Sequence, residues 1–130
     1  MTIYHFTNAQ FDEFDASKLG TASAERCVSD EMESISAFGF CFVEEDALDT
    51  LVELYGDDFG EHLAKCELYG SENFDSTYDD FVAWIERDGA DAVRECLEND
   101  GVDFLRLHNG NFEEIIPLHV EDVEIIEWVK

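Results

Sequence analysis

Residues 102–118 read VDFLRLHNGNFEEIIPL. Two apolar stretches, Val102 to Leu107 and Glu114 to Leu118, flank Asn109-Gly110-Asn111. Asn-Gly supplies the positive backbone angles of a tight turn whose twist matches that of paired strands. The stretch therefore predicts a β-hairpin. A hairpin means antiparallel pairing, whereas a doubly wound parallel sheet needs a long crossover between neighbouring strands. Pro117 has no N–H to give to a ladder, which points to a sheet edge at this strand.

Outward from the hairpin, Val123 to Val129 predicts a last strand. On the other side, Asp100-Gly101 is a turn, and Asp88 to Asn99 predicts a helix with Ala92, Val93, Cys96 and Leu97 on one face. Tyr78, Phe81, Val82 and Ile85 mark a helix before it, capped by Ser76 or Thr77. His62 to Tyr69 alternates as a strand. Ala47, Leu48, Leu51, Val52 and Tyr55 recur at helical spacing behind Glu44-Glu45-Asp46, and Gly56 ends that helix. Phe38 to Val43 is a continuous apolar run that predicts a buried strand. Ala22 to Ser36 reads as loop or short helix, and Thr2 to His5 as a short first strand. Strands around a helical middle give the class α+β.

The chain has 130 residues, a length that suits one domain, 1–130, around one core. Its composition is 45% hydrophobic and 13% aromatic, enough to build a packed interior despite the charge. That charge is extreme: 33 acidic against 7 basic residues, a net −26, spread along the whole chain. Such a surface repels nucleic-acid backbones and excludes them as direct partners. It attracts proteins with basic working surfaces, chiefly those that bind nucleic acid. Solubility or adaptation to high salt is the plainer account of the same number.

None of the four cysteines, Cys27, Cys41, Cys66 and Cys96, forms a CxxC pair, and no Cys/His spacing suits zinc. Cys41 and Cys66 lie in apolar runs and read as small core residues. The opening residues lack a basic and then apolar leader, and no run is long enough for a membrane span. The expectation is a cytoplasmic protein with reduced thiols, no metal and no membrane partner.

Three places carry candidate chemistry: Tyr4-His5-Phe6-Thr7 on the first strand, Gly39-Phe40-Cys41-Phe42-Val43 with Tyr55 in the next helix, and Glu113-Glu114 after the Asn-Gly turn. In this order they resemble the ADP-ribosyltransferase family, in its His-Tyr-Glu branch. Members open on a strand like Tyr-His-Gly-Thr and continue with Gly-x-Tyr-Phe-Thr. They close on a segment that aligns without a gap to residues 114–123, EIIPLHVEDV. Phe6 stands where the family has glycine, Cys41 where it has tyrosine, and Val43 where it has a hydroxyl.

The resemblance implies ADP-ribosyltransferase-like split antiparallel β-sheets with flanking helices, and NAD as cofactor. It implies that His5 and Thr7 hold the dinucleotide, that Phe40 or Phe42 and Tyr55 stack on the nicotinamide, and that Glu114 is catalytic, with Glu113 its rival by one residue. Strand alternation lets only one of the two face a cleft. Arg26 is the basic residue expected at the pyrophosphate. The chemistry is sound on its own terms, since leaving nicotinamide builds a cationic sugar that a fixed carboxylate stabilises.

The charge then selects the target: a basic, nucleic-acid-binding host protein, such as a CRISPR effector. The resemblance extends in size and layout to phage anti-CRISPR ADP-ribosyltransferases. A second reading is a non-catalytic DNA mimic that fills a basic groove by charge; it assigns no role to His5 or Glu114. A third is an acidic adaptor or immunity module. His62, His108 and His119 read as surface residues.

Overall fold

The computed structural model describes residues 1–7, 11, 13, 14, 35, 38–55 and 62–129. The first strand, β1, is Thr2–Thr7. A single 3-10 turn, Glu45–Ala47, leads into helix α1, Leu48–Tyr55. Strands β2, His62–Leu68, and β3, Asn73–Thr77, precede helices α2, Tyr78–Asp88, and α3, Ala90–Asn99. Strands β4, Phe104–His108, β5, Glu113–Pro117, and β6, Val123–Trp128, follow. The class is α+β. Among the described residues no helix is long and apolar enough to cross a membrane.

The hairpin expected from residues 102–118 is formed: β4 and β5 pair antiparallel, with Leu105 opposite Ile116 and Leu107 opposite Glu114. Asn109 closes it by accepting the backbone N–H of Asn111 at 3.0 Å and of Phe112 at 3.1 Å, and Gly110 takes φ +94°. Pro117 is the last residue of β5, an outer strand of its sheet in the order β3-β4-β5. The other sheet, β1-β2-β6, is antiparallel throughout.

Three expectations need correction. The sheets are not all antiparallel, because β3, which the sequence did not reveal, runs parallel to β4. The chain reaches β4 through α2 and α3, a crossover long enough to reverse direction twice. The long helix of residues 88–99 is shorter, because Gly89 at φ +88° separates α2 from α3. Its N–H closes α2 on Ile85 and its carbonyl opens α3 on Val93. Finally, residues 38–43 are not a strand. The N–H of Gly39 bonds the carbonyl of Ile35, closing a helical turn, and the chain is extended only at its end. There Phe42 exchanges both backbone bonds with Ile115, and Val43 with Tyr4, so two residues tie the sheets together.

That short bridge explains the unbroken apolar run. Phe38 packs against Phe81 in a core between β3-β4-β5 and the helices, with Leu105, Leu107 and Ile116. Phe42 lies between the two sheets with Ile3, Cys66, Phe104 and Ile115. Val43 joins Tyr4, Leu51 and Leu63 beneath α1. Each buried phenyl contributes about 2–3 kcal/mol of apolar burial. Thr77 caps α2 as expected, accepting the N–H of Asp80 at 3.1 Å.

The crossing of residues 38–43 over β5 leaves no room at Gly39. A Cβ there would sit 2.5 Å from Ile116 Cγ2. Gly39→Ala is expected to cost about 1–3 kcal/mol by overpacking. Urea denaturation checks this, and Ile116→Ala in the same chain should recover part of the loss; additive losses would place the strain elsewhere.

Candidate functional site

Alternation along β1 sends Tyr4 and Phe6 toward the core under α1, and Ile3 toward the space between the sheets. His5 follows Ile3. Its half-buried ring meets Phe14 edge-on at 5.2 Å, Phe42 at 5.1 Å and Phe40 edge-on at 6.0 Å between centroids. Nδ1 donates to the carbonyl oxygen of Cys41 at 2.8 Å. A carbonyl only accepts, so this bond fixes the proton on Nδ1 and makes Nε2 the acceptor in the neutral ring. Phe6, in the family's glycine position, packs on the far side of β1 and does not crowd this face.

Glu114 lies opposite Leu107, on the face of β4–β5 that the helices cover. Its Oε2 is shut off from solvent and has no hydrogen-bond partner. The Cys41 thiol donates to the carboxylate. Burial raises the pKa of Glu114 to about 7, and the Cys41 hydrogen bond opposes that shift without cancelling it. His5 and Glu114, 109 positions apart in sequence (114 minus 5), thus converge on one residue: His5 on the backbone of Cys41, Glu114 on its side chain.

Glu113 turns the other way. It accepts from Arg106 Nη1 at 2.6 Å and sits 3.3 Å from His108 Nδ1. Arg106 Nη1 also bonds Glu44, and Asp75 lies 4.0 Å from its Nε. Arg106 is therefore held by carboxylates that precede the 3-10 turn, begin β5 and lie on β3. The pleat separates the two acids, and it is Glu114 that shares Cys41 with His5.

The remaining candidates are distributed as follows. Phe40 is half-buried beside His5 and also meets Phe14 at 5.2 Å. Thr7 is buried at the end of β1, opposite His62. Tyr55 ends α1, and its side chain, like Arg26 and Cys27, lies outside the described residues. Cys66 is fully buried, and burial pushes its thiol up to about 12. His62 packs its ring edge-on to Trp128, and His119 stands 3.6 Å from Glu98 and 3.8 Å from Glu121. Among the described residues no group of three His, Cys, Asp or Glu side chains is placed to hold a metal ion.

Sequence reasoning missed two features. It took Cys41 as core filling; the residue does pack on the helix-covered core, but it is only half-buried and its side chain also bonds Glu114. It also passed over Arg106, whose only sequence signal was a lone cation inside an apolar strand. Comparison of the chain with protein-family models, curated proteins and solved structures gives no match.

Proposed function

We propose that this chain is an NAD-dependent mono-ADP-ribosyltransferase that modifies a basic, nucleic-acid-binding protein. The observation that carries the reading is Glu114: a buried carboxylate that takes a hydrogen bond from Cys41 and keeps one oxygen unpartnered, while His5 is oriented by the backbone carbonyl of the same cysteine. A buried polar atom left without a partner costs roughly 1–3 kcal/mol, a cost that a ligand hydroxyl would remove. The two sheets joined at Phe42 and Val43 fit an ADP-ribosyltransferase-like split arrangement with flanking helices.

The residues present suit the nicotinamide-ribose end of NAD. Glu114 accepts a ribose hydroxyl, Nε2 of His5 accepts another, and Phe40 offers a half-buried aromatic face to the pyridinium. NAD supplies an N-glycosidic bond whose cleavage delivers ADP-ribose. The chain supplies a fixed negative charge beside the sugar, in a dry setting where it acts strongly. Glu114 does this only when ionised, and its proton affinity places that change near neutral pH.

The surface selects the acceptor. The outer faces of α2 and α3 expose Asp79, Asp80, Glu86, Asp91, Glu95 and Glu98. Arg87 is paired with Asp88, and Arg94 is turned inward to the carbonyls of Phe38 and Leu118. A basic groove of a CRISPR effector, or of another host complex met by a phage or mobile element in the cytoplasm, matches that field. The same array supports a second reading, a DNA mimic that acts by charge without catalysis.

Labelled NAD added to a bacterial lysate rich in nucleic-acid-binding proteins separates the two. Transfer predicts a labelled basic protein. Absence of label together with salt-sensitive capture of a basic partner would overturn the enzyme in favour of the mimic.

A further inference from the structure

β6 is an outer strand of the sheet β1-β2-β6. The other edge of that sheet is engaged at Tyr4, which exchanges backbone bonds with Val43, and β5 is engaged by Phe42 in the same way. Among the described residues β6 pairs with β2 alone. The N–H of Tyr69 bonds the carbonyl of Asp122, and the N–H of Val129 bonds that of Leu63, each at 2.8 Å. Between these two bonds the ladder alternates, so Glu124 and Glu127 turn their backbone groups to Glu67 and Lys65 on β2. Ile125 and Trp128 turn theirs to the outer side. Ile126 is the extra residue of a bulge, because Lys65 faces Glu127 while the next residue, Cys66, faces Ile125.

The side chains along this edge are of two kinds. Tyr69, Ile126 and Val129 are 55%, 52% and 52% exposed, a large share of the exposed bulky hydrophobics among the described residues. Glu121, Glu124 and Glu127 are exposed between them, and Tyr69 reaches Glu124 through a 2.6 Å hydrogen bond. We propose that β6 is a docking strand that takes, as an added antiparallel neighbour, an extended segment of a partner protein in which basic residues alternate with apolar ones. The outward backbone groups of Ile125 and Trp128 supply main-chain bonds, and the alternating side chains supply selectivity.

Charge chooses the occupant. A second copy of this chain would bring Glu124 and Glu127 against their own counterparts, between molecules that each carry a net charge of −26. Acidic side chains and a bulge on an outer strand are the usual devices against such self-pairing. The same acids attract a strand with lysine or arginine opposite them, and Ile126 and Val129 then lie against its aliphatic side chains. The inference does not rest on the transferase reading; joined to it, the added strand is how an acceptor protein is held.

The isotopically labelled full chain is titrated with a synthetic peptide of alternating lysine and valine, matched to the six residues of β6, in about 0.15 M salt. The expected result is saturable NMR shifts concentrated at residues 124–129, with slowed amide exchange at Ile125 and Trp128. A peptide of the same sequence with alternate backbone nitrogens methylated keeps the charge and loses the ladder, and it should bind at least about tenfold more weakly. Replacing both exposed acids, Glu124→Lys with Glu127→Lys, should weaken the unmodified peptide by about tenfold or more. Shifts that fall on the acids of α2 and α3 and spare β6, or equal binding of the methylated peptide, would overturn the proposal in favour of attraction by charge alone. Protection of β6 that grows with protein concentration in the absence of peptide would overturn it in favour of pairing between copies. The titration contains no NAD, so its failure and that of the transferase reading are told apart.

Discussion

Glu114→Gln is expected to lower ADP-ribosyl transfer at least about a hundredfold, the usual effect of removing one preorganised group that stabilises transition-state charge. A glutamine keeps the shape and can still take the Cys41 hydrogen bond, but it offers no charge to the cationic sugar. Glu113→Gln should leave transfer within a few-fold, because Glu113 faces Arg106 and His108 and is turned away from Cys41. Its loss should instead loosen the Arg106 cluster. Rates with labelled NAD for the two variants decide this. A severe Glu113 defect beside an active Glu114→Gln protein would move the site to the other face of β5.

The same substitution should change how stability depends on pH. Burial, opposed by the Cys41 hydrogen bond, raises the Glu114 pKa from 4.5 to about 7. Below pH 4.5 the carboxyl is protonated in both the folded and the unfolded chain, so the group adds no pH-dependent term. Between pH 4.5 and about 7 the folded state keeps a proton that the unfolded state has released. Stability therefore falls as pH rises through this window, and the loss is complete above about pH 7. The separation corresponds to about 3 kcal/mol. Relative to wild type, Glu114→Gln is expected to gain roughly that much stability between pH 4.5 and pH 8. Repulsion within a chain of net charge −26 also grows over this range, but it acts on both proteins and largely cancels in the difference. Paired urea denaturations at the two pH values measure it. A difference that does not change with pH would mean that water reaches the carboxylate.

The hairpin was legible because its signal is local: Asn109-Gly110 dictates the turn whatever surrounds it. The Thr77 cap and the apolar stripe of α2 were legible for the same reason. β3 was not, since only Phe74 and Ser76 turn inward on a five-residue outer strand, a pattern a loop also shows. The run from Phe38 to Val43 misled because continuous apolar sequence does not distinguish one buried strand from a chain that supplies three cores in turn.

The site divides in the same way. His5 and Glu114 were singled out by motif order, and the choice between Glu113 and Glu114 was left to the pleat. The pairing of Leu107 with Glu114 sets which face of the sheet each acid takes, and it is a long-range fact. So is the role of Cys41, which depends on the bridge between Phe42 and Ile115. Arg106 draws on Glu44, Asp75 and Glu113, which no spacing rule connects.

The central claim is that His5 and Glu114, joined through Cys41, form the seat of the nicotinamide ribose. An NMR titration of the isotopically labelled protein with NAD tests it most directly. The account predicts saturable shifts concentrated at His5, Phe40, Cys41 and Glu114, and a weaker response after His5→Ala. Saturating NAD that leaves those four signals unmoved would contradict it, and the carboxylates of α2 and α3 would then be the surface on which to look for function.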